Sequence, residues 1–414
     1  MLAENPQTDA RIDGRDAWVT TFAALLICSV ALGAPYLVSV ALRPIAADLG
    51  GLRAVPSLAG SLALLGTGVG GLLRGWVAER TGVRSTAIFG ALMVCAGLAL
   101  SAQGEVWQLY VGHGLLIGLL GNGAINAPIY VYITRWFERR RGTALALIAS
   151  GQYVAGAFWP PLFERSLAAY GWQNTMVGFG ILIALIVVPL AALFLRPPPP
   201  DPKPAGAATG GAASAGSALG LPPVVTFSLL AGAAFLCCVP MAMPASHLIA
   251  LCTDIGLSPA RGAMMLSLLL TCAFVSRQFW GWMSDRIGGM KTLVIGSAAQ
   301  AAATVGFVVT QDEAGLFAVA TAFGLGFAGL IPAYILTARQ LFPASEASWR
   351  VPTILLTGMS GMAFGSWIAG VIYDHFGFYA PAFATGLAFN LINLSILSWL
   401  LLRWIRLQRA ATLA

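Results

Sequence analysis

Long runs of apolar residues, separated by short polar segments, recur along the whole chain. Each run is close to the roughly 20 residues that an α-helix needs to cross about 30 Å of hydrocarbon. We number them spans 1 to 12 and place them near residues 18–40, 55–74, 85–102, 108–132, 143–166, 174–195, 223–252, 262–283, 290–310, 315–338, 351–373 and 379–402. The pattern predicts an all-α membrane protein with twelve transmembrane helices.

The composition supports this prediction. Of 414 residues, 58% are hydrophobic and 9% are charged, and the mean hydropathy is +0.81. A soluble core of this length would not bury so much apolar surface. Residues 1–17 are polar and carry four acidic side chains. They are unlike a cleaved secretory signal, so we expect span 1 to remain in the mature protein.

The basic residues are distributed unevenly between the two sides of the membrane. If both termini share one side, eighteen of the 23 basic residues fall on that side and four fall opposite, namely Arg43, Arg53, Arg165 and Arg261. The positive-inside rule then places both termini in the cytoplasm, and we expect a multi-pass protein of a bacterial inner membrane. Topology and contact with anionic lipid account for the net charge of +7, so nothing calls for nucleic acid.

The two halves of the chain repeat each other. The segment GWVAERTG at 75–82 matches GWMSDRIG at 281–288, an offset of 206 residues. Pro35 and Pro240 follow nearly the same offset, as do Pro128 and Pro332. We therefore expect a six-helix bundle at 1–195, a flexible cytoplasmic linker rich in Pro, Ala and Gly at 196–222, and a second six-helix bundle at 223–414. Proline would leave carbonyl groups unpaired in lipid, so spans 1, 4, 7 and 10 are expected to face a polar cavity.

Nothing in the sequence indicates a cofactor or a metal. The six cysteines form no Cys-x-x-Cys pair. Two glycine strings, at 66–71 and 324–329, fit a dinucleotide fingerprint formally but lie inside apolar helices. Small residues at such positions let helices approach closely, which is the interpretation we adopt.

The duplicated loop, the division into six and six helices, and the central linker together resemble the major facilitator superfamily over nearly the whole chain. In that superfamily the charged residues of the loop act as a conformational latch on the cytoplasmic side. The resemblance implies gating roles for Glu79, Arg80, Arg84, Asp285 and Arg286. The alternative is that these are ordinary charges that follow the positive-inside bias.

Shorter motifs resemble those of monocarboxylate transporters and the related oxalate/formate carriers. They are DGRDAW at 13–18, RWFERRRGTA at 135–144, YGW at 170–172 and Arg277 in span 8, which is similar to the substrate arginine of monocarboxylate carriers. The chain departs from that family at Tyr36 and Ala273, where those carriers place a lysine and an aspartate. It also lacks the cation that oxalate carriers have in span 11.

Arg277 cannot be placed in a loop or at the end of a span. Inserting an arginine at the centre of a membrane helix costs about 2.5 to 3.5 kcal/mol, so the position needs a compensating role. Its equivalent one repeat earlier is Gly71, which shows that the fold does not require a cation there. A guanidinium pairs with both oxygens of a carboxylate, so Arg277 is a candidate substrate ligand. The alternative is that its side chain snorkels toward the cytoplasm.

His247 and Asp254 lie seven residues apart on one face of span 7, near its outer end. A histidine beside a carboxylate is a candidate proton carrier. The alternative is a hydrogen-bonded structural histidine and a solvated aspartate.

The remaining candidates for substrate binding are polar side chains on the proline-bearing spans. Each could hydrogen-bond a carboxylate or hydroxyl group, and each could equally join helices. Three of them fall at four-residue steps along span 4. The full set is Tyr36, Asn122, Asn126, Tyr130 and Tyr334.

The resemblance implies a secondary transporter of a small monocarboxylate such as lactate or pyruvate, working by alternating access in proton-coupled symport. Exchange of organic anions, as in oxalate/formate antiporters, is the alternative, with drug or metabolite efflux behind it. No nucleophile–base pair or metal cluster suggests an enzyme. The expected partners are a small organic anion, a proton and membrane lipid, and we expect a monomer without cofactors.

Overall fold

The computed structural model describes residues 12–197, 219–343 and 346–413, except for the side chains at 74–76, 79, 141, 347–348 and 410–413. All regular structure in this part of the chain is helical. Apolar helices recur as the hydropathy pattern predicts. The described part of the chain is therefore an all-α membrane protein.

Spans 1 to 6 are built from nine helical elements, some spans being broken into two or three, and a short helix lies between spans 1 and 2. Span 1 comprises Arg15–Ala31 and Gly33–Val40, and the short helix Leu42–Asp48 follows it. Spans 2 and 3 are Ala54–Thr81 and Val83–Ser101. Span 4 comprises Val106–Tyr110, a π-helical segment Val111–Asn122, and Gly123–Thr134, and spans 5 and 6 lie within Arg141–Ala149 and Gly151–Phe194.

Spans 7 to 12 follow in the same order. Spans 7, 8 and 9 are Pro223–Asp254, Pro259–Ile287 and Gly289–Val309. Span 10 comprises Glu313–Phe327 and Leu330–Leu341, and spans 11 and 12 are Ala347–Phe376 and Ala380–Leu413. Spans 1 and 10 break just before Pro35 and Pro332, so each proline lies in the first turn of a new helix, where its missing N–H costs nothing.

Gly171 divides the helical stretch that contains spans 5 and 6. The continuous apolar stretch Gly142–Phe194 has 53 residues, more than twice the length that one crossing needs. Gly171 has φ 76° and ψ 169°, a conformation that favours glycine and interrupts the helix. One repeat later Gly377, between spans 11 and 12, has φ 78°. The chain thus turns at equivalent positions, and twelve spans result.

The duplicated loop has the same backbone conformation in both copies. Gly82 has φ 84° and ψ 149°, and Gly288 has φ 85° and ψ 156°. Each carbonyl accepts a hydrogen bond from a threonine hydroxyl four residues on, at 2.8 Å from Thr86 and 2.9 Å from Thr292. The repeat read from the sequence is therefore also a repeat of local structure.

By their contacts the residues form two units. One lies within Met1–Ala41 and Leu62–Ala208, and the other within Leu42–Ser61 and Thr209–Ala414. The second unit thus includes the segment Leu42–Ser61, which the sequence-based boundaries assign to the N-terminal bundle. Most of the predicted linker, 198–218, lies outside the described residues. The last part of the predicted linker, from Leu219, is described and is bonded within the second unit. The Arg403 guanidinium donates to the carbonyls of Leu219 and Gly220 at 2.5 and 3.1 Å.

The glycine strings bring helices into close contact, as expected. A Cβ on Gly66 would meet the Gly114 carbonyl and approach the Leu119 nitrogen within 2.8 Å, so span 2 packs directly on the π-helical segment of span 4. A Cβ on Gly324 would meet the Leu269 carbonyl and lie 2.9 Å from Cys272 Cβ, which brings span 10 against span 8. Both strings serve close helix packing.

Candidate functional site

Arg277 is half-buried and lies ten residues before the end of span 8. The helix around it is fixed against span 10. Ser276 Oγ donates to the Gly324 carbonyl at 3.0 Å, and Trp280 Nε1 donates to the Leu325 carbonyl at 2.7 Å. Arg277 is therefore a cation within a span. Hydrogen bonds from residues before and after it, Ser276 and Trp280, hold span 8 against span 10.

His247 is fully buried, and its partners determine its tautomer. Nε2 lies 2.8 Å from the Ser366 carbonyl, which only accepts hydrogen bonds, so Nε2 carries the hydrogen. Nδ1, 3.0 Å from the Tyr379 hydroxyl, then accepts from it. His247 is thus held between span 11 and the segment that precedes span 12.

Asp254 does not contact His247 in this structure; it pairs with Arg53. The two guanidinium nitrogens of Arg53 donate to the two carboxylate oxygens of Asp254, each at 2.6 Å. Arg53 Nη1 also donates to the Tyr379 hydroxyl at 2.9 Å. His247 and Asp254 are therefore the two ends of one hydrogen-bonded chain that runs through Tyr379 and Arg53.

A second carboxylate holds the backbone of the same arginine. Asp374 accepts from the backbone nitrogens of Arg53 and Ala54, each at 2.8 Å, and so caps the start of span 2. The Tyr373 ring lies 3.6 Å from the Arg53 guanidinium carbon. Burial opposes the charge of Arg53, but the hydrogen bonds to Asp254 and Tyr379 raise its pKa above the ordinary value. We call Arg53, Asp254, Asp374, Tyr373, Tyr379 and His247 the Arg53 cluster.

Sequence reasoning missed Arg53 because every cation in a loop was explained by topology. One signal was available, since Arg53 is one of only four basic residues that fall against the positive-inside bias. Its partners could not be found from spacing. Asp254 is 201 positions away along the chain, and Tyr379 is 326 positions away.

The polar candidates of spans 1 and 4 lie in the first unit. Tyr36 is buried, and its hydroxyl donates to the Gln152 carbonyl at 3.2 Å. Asn122 ends the π-helical segment and is 0% exposed, yet neither amide atom has a hydrogen-bond partner among the described residues. The Oδ1 atom of Asn126 is likewise without one, and Tyr130 is half-buried. Buried amides without partners are rare in folded proteins, which makes Asn122 and Asn126 candidates for contact with a polar ligand.

Tyr334 lies in a different environment, inside the second unit. It is fully buried, and its hydroxyl donates to Asn393 Oδ1 at 2.8 Å. The Asn393 amide in turn donates to Ser297 Oγ at 2.9 Å and to Asn390 Oδ1 at 3.3 Å. Here Tyr334 is part of a satisfied network that joins spans 9, 10 and 12.

The predicted gating residues lie at the duplicated loops. Arg80, Arg84, Asp285 and Arg286 are exposed, and the side chain of Glu79 lies outside the described residues. The guanidinium carbon of Arg286 lies 4.4 Å from the Trp282 ring.

Two of the short motifs dock on each other in the first unit. Asp13, just before span 1, accepts hydrogen bonds from the backbone nitrogens of Glu138, Arg139 and Arg140 at 3.2, 2.9 and 3.2 Å. Burial opposes the charge, but these three bonds lower the pKa of Asp13. The Trp18 ring packs edge-on against Phe137, with ring centroids 5.0 Å apart. The motif at 13–18 thus anchors the loop between spans 4 and 5.

Within the described residues, no three His, Cys, Asp or Glu side chains gather as a metal site would require. Apolar spans in two repeats, with a cation inside one of them, are typical of polytopic membrane transporters. The chain belongs to the Major Facilitator Superfamily, whose family profile matches residues 18–247 and 229–411.

Curated relatives support the narrower resemblance to monocarboxylate transporters. Monocarboxylate transporter 11 of Homo sapiens is 25% identical over 406 residues, covering 95% of this chain and 78% of the relative. Monocarboxylate transporter 13 of Bos taurus is 24% identical over 324 residues, covering 78% and 74%. The MFS-type transporter pynF of Aspergillus niger is 27% identical, covering 69% of this chain and 64% of the relative, so the match spans less than two thirds of that protein.

Solved structures share the fold at low sequence identity. A bacterial homologue of the human lysosomal transporter Spinster, in an inward-facing and unoccupied conformation, superposes with a TM-score of 0.71 at 16% identity, covering 95% of this chain and 97% of that one. The peptide transporter POT in complex with sulfate gives a TM-score of 0.70 at 16% identity, covering 92% and 94%. The transporter fold predicted from the sequence is confirmed.

Proposed function

We propose that this protein is a secondary transporter of a small monocarboxylate, such as lactate or pyruvate, in the inner membrane of a bacterium. The observation that carries the proposal is Arg277, a half-buried cation within span 8 of a chain whose relatives include proteins named monocarboxylate transporters. A guanidinium matches the planar fork of a single carboxylate. The repeat supports a functional reason for the charge, because Gly71 occupies the equivalent position in the first half.

Two buried amides support a site for a polar ligand. Asn122 and Asn126 have amide atoms without partners among the described residues. A carboxylate or hydroxyl group would satisfy Nδ2 of Asn122, and a hydroxyl or water would satisfy the two Oδ1 atoms. Tyr36 and Tyr130 are proposed to complete the site from spans 1 and 4. Tyr334 is the weakest of the five candidates, since its hydroxyl is already bonded to Asn393.

We further propose that a proton accompanies the substrate, with Asp254 and His247 as the coupling residues. A monoanion and a proton together carry no net charge, so the membrane potential would neither drive nor oppose their transport. The Asp254 side chain is 19% exposed, whereas His247 is fully buried, so water reaches Asp254 first. The hydrogen-bonded chain through Arg53 and Tyr379 links the two residues. Glu79, Arg80, Arg84, Asp285 and Arg286 are proposed to gate the cytoplasmic side, where both termini lie.

The test is uptake of labelled L-lactate into proteoliposomes with an imposed inside-alkaline pH gradient. We expect Arg277→Ala to lower the initial rate at subsaturating lactate about 30-fold or more, because a charge-assisted pair contributes about 2 to 3 kcal/mol. Arg261→Ala is the matched control, since Arg261 begins the same span but forms an exposed ion pair with Glu313 at 3.0 Å. The control should transport at the parental rate.

The outcomes separate the alternatives. Gradient-driven accumulation that disappears in Arg277→Ala supports proton-coupled symport. Uptake that ignores the gradient but rises with internal oxalate, formate or lactate supports exchange instead. Full activity in Arg277→Ala, or no uptake of any small monocarboxylate, would contradict the proposal.

A further inference from the structure

The Arg53 guanidinium is held in place by groups other than Asp254. The Tyr373 ring lies 3.6 Å from its central carbon, and the Tyr379 hydroxyl accepts from Nη1 at 2.9 Å. Asp374 fixes the backbone at Arg53, and Ser57 Oγ donates to the Arg53 carbonyl at 2.6 Å. The side chain is only 9% exposed. The guanidinium would therefore keep its position if Asp254 moved away.

Asp254 binds the edge of the guanidinium formed by Nη1 and Nη2, as the carboxylate of a bound small molecule would. Both of its oxygens are bonded, each at 2.6 Å, in a two-point fork. Arg43 Nε lies 3.9 Å from Asp254 Oδ1. Asp254 is the last residue of span 7, two residues before Gly256 with its φ of 89°, so it sits where a helix ends.

The internal repeat shows that the fold does not require these groups. With the offset of 206 residues, Arg53 corresponds to Pro259, Tyr373 to Leu167 and Tyr379 to Gln173. Asp374 corresponds to Ala168, and only Asp254 has an acidic equivalent, Asp48. The cation and the two tyrosines that surround it therefore have no like residue at the equivalent positions of the repeat, as is true of Arg277.

We propose that Arg53, Tyr373 and Tyr379 form a second carboxylate site, which Asp254 occupies in this structure and which the carboxylate of a small organic acid takes when Asp254 is neutral. The exchange conserves charge, because a substrate carboxylate plus a proton on Asp254 replaces one ionised carboxylate. The charged and titratable groups that face Asp254 are Arg53, Arg43 and Tyr373. Asp374, Tyr379 and His247 face Arg53 and its neighbours.

The proposal rests on the proposed function only for the identity of the acid; carboxylate binding at Arg53 is independent of Arg277. The test therefore uses the purified full-length protein carrying Arg277→Ala, so that span 8 contributes no carboxylate binding. The measurement is the shift in Tm on titration with sodium L-lactate at pH 7.5, with L-lactamide as the uncharged analogue. Asp254→Asn supplies a neutral side chain of the same shape.

In the Arg277→Ala background, we expect Asp254→Asn to lower the half-saturating lactate concentration at least tenfold. Adding Arg53→Gln should abolish the lactate-dependent shift, and Arg53→Lys should weaken it, because a lysine keeps the charge but loses the fork. Glu313→Gln is the matched control: it removes the carboxylate partner of Arg261, an exposed pair without flanking tyrosines, and should leave the lactate response unchanged.

The proposal is overturned if Asp254→Asn gives no gain in lactate binding, if the gain persists in Arg53→Gln, or if L-lactamide produces the same shift. Should Arg53→Gln fail to yield folded protein, the comparison of Asp254→Asn with and without Arg53→Lys decides the same question. Transport by Arg277→Ala at the parental rate would contradict the proposed function and leave this result standing.

Discussion

Asp13 connects two segments that are far apart in the sequence by means of a single carboxylate. Its backbone has φ 56°, a conformation that aspartate tolerates better than most residues, and its side chain accepts three backbone N–H groups of the loop between spans 4 and 5. Its own backbone nitrogen donates to the Trp136 carbonyl at 3.0 Å. One residue thus fixes where span 1 begins relative to the end of span 4.

We expect Asp13→Ala to lower the stability of the purified protein by about 1 to 3 kcal/mol, because it removes the three bonds and places a Cβ-bearing residue without local hydrogen bonds at positive φ. Asp13→Asn keeps one acceptor oxygen, and asparagine tolerates this backbone conformation. The stability of Asp13→Asn should therefore lie between those of the parent and Asp13→Ala. Thermal unfolding in detergent measures the effect. Asp16 is an exposed acidic residue in the first turn of the helix that follows Asp13, and Asp16→Ala should change the Tm little.

The same variant has a defined pH dependence. The pKa of Asp13 is lowered in the folded protein, so its stabilising contribution is complete above the unfolded value of about 4 and is lost as the pH falls through the folded value. The difference in Tm between the parent and Asp13→Ala should therefore be largest near neutral pH and shrink in acid. A difference that grows in acid would contradict the role of the ionised carboxylate.

Single residues also mark the limits of prediction from the sequence. Arg277 was found because a charge inside an apolar span has no ordinary explanation. Asp13 was noticed as part of a motif, but its partners could not be known because they are backbone groups without a sequence signature. Arg53 lies between two helices, where the sequence alone does not distinguish it from an ordinary loop cation. The spacing of His247 and Asp254 predicts that they act together, whereas the structure joins them indirectly, through Tyr379 and Arg53.

Span 4 is the element whose structure departs most from its sequence pattern. The apolar run predicted a regular helix, but Val111–Asn122 is π-helical and is followed by an α-helix from Gly123. Span 2 packs closely against this segment at Gly66, where a Cβ would meet the Gly114 carbonyl and lie 2.8 Å from the Leu119 nitrogen. Periodicity could not reveal this, because glycines within an apolar run are equally typical of close packing between ordinary helices.

Gly66→Ala tests this packing. Its Cβ would collide with the backbone of Gly114 and Leu119, which cannot move aside as a flexible side chain can, so we expect a loss of about 1 to 3 kcal/mol in stability. Gly60→Ala is the control in the same helix, since a Cβ there meets nothing within 4 Å, and it should be neutral or slightly stabilising. Tm values that fall equally for both variants would argue against the close contact.

At the scale of the whole molecule, the sequence predicted the fold well because membrane helices obey a simple rule of length and polarity. The repeated prolines and the duplicated loop also identified the two six-helix halves, and the structure repeats their backbone geometry at Gly82 and Gly288. The boundary between halves is less simple. Leu42–Ser61 belongs by its contacts to the second unit, since Arg53, Ser57 and Ser61 bond to residues of spans 7 and 11 or next to span 12.

The predicted topology can be tested with single cysteines. The six native cysteines are buried or half-buried, so their background reactivity should be low. Gln103→Cys and Gln311→Cys, at exposed positions beyond spans 3 and 9, should react with a membrane-impermeant maleimide in intact cells. Ser85→Cys, exposed beside the loop between spans 2 and 3, should react only after permeabilisation. The reverse pattern would mean that both termini lie outside the cytoplasm.

The placement of Arg53 has a consequence for how the chain is made. Its backbone partner Asp374 follows 321 residues later, and Tyr379 follows 326 residues later. At about 5 to 20 residues per second, a ribosome needs roughly tens of seconds to reach them. During synthesis the backbone N–H groups of Arg53 and Ala54 therefore lack Asp374 as their acceptor until span 11 has been made. A segment early in the chain thus reaches its final hydrogen bonding only when the second half is nearly complete.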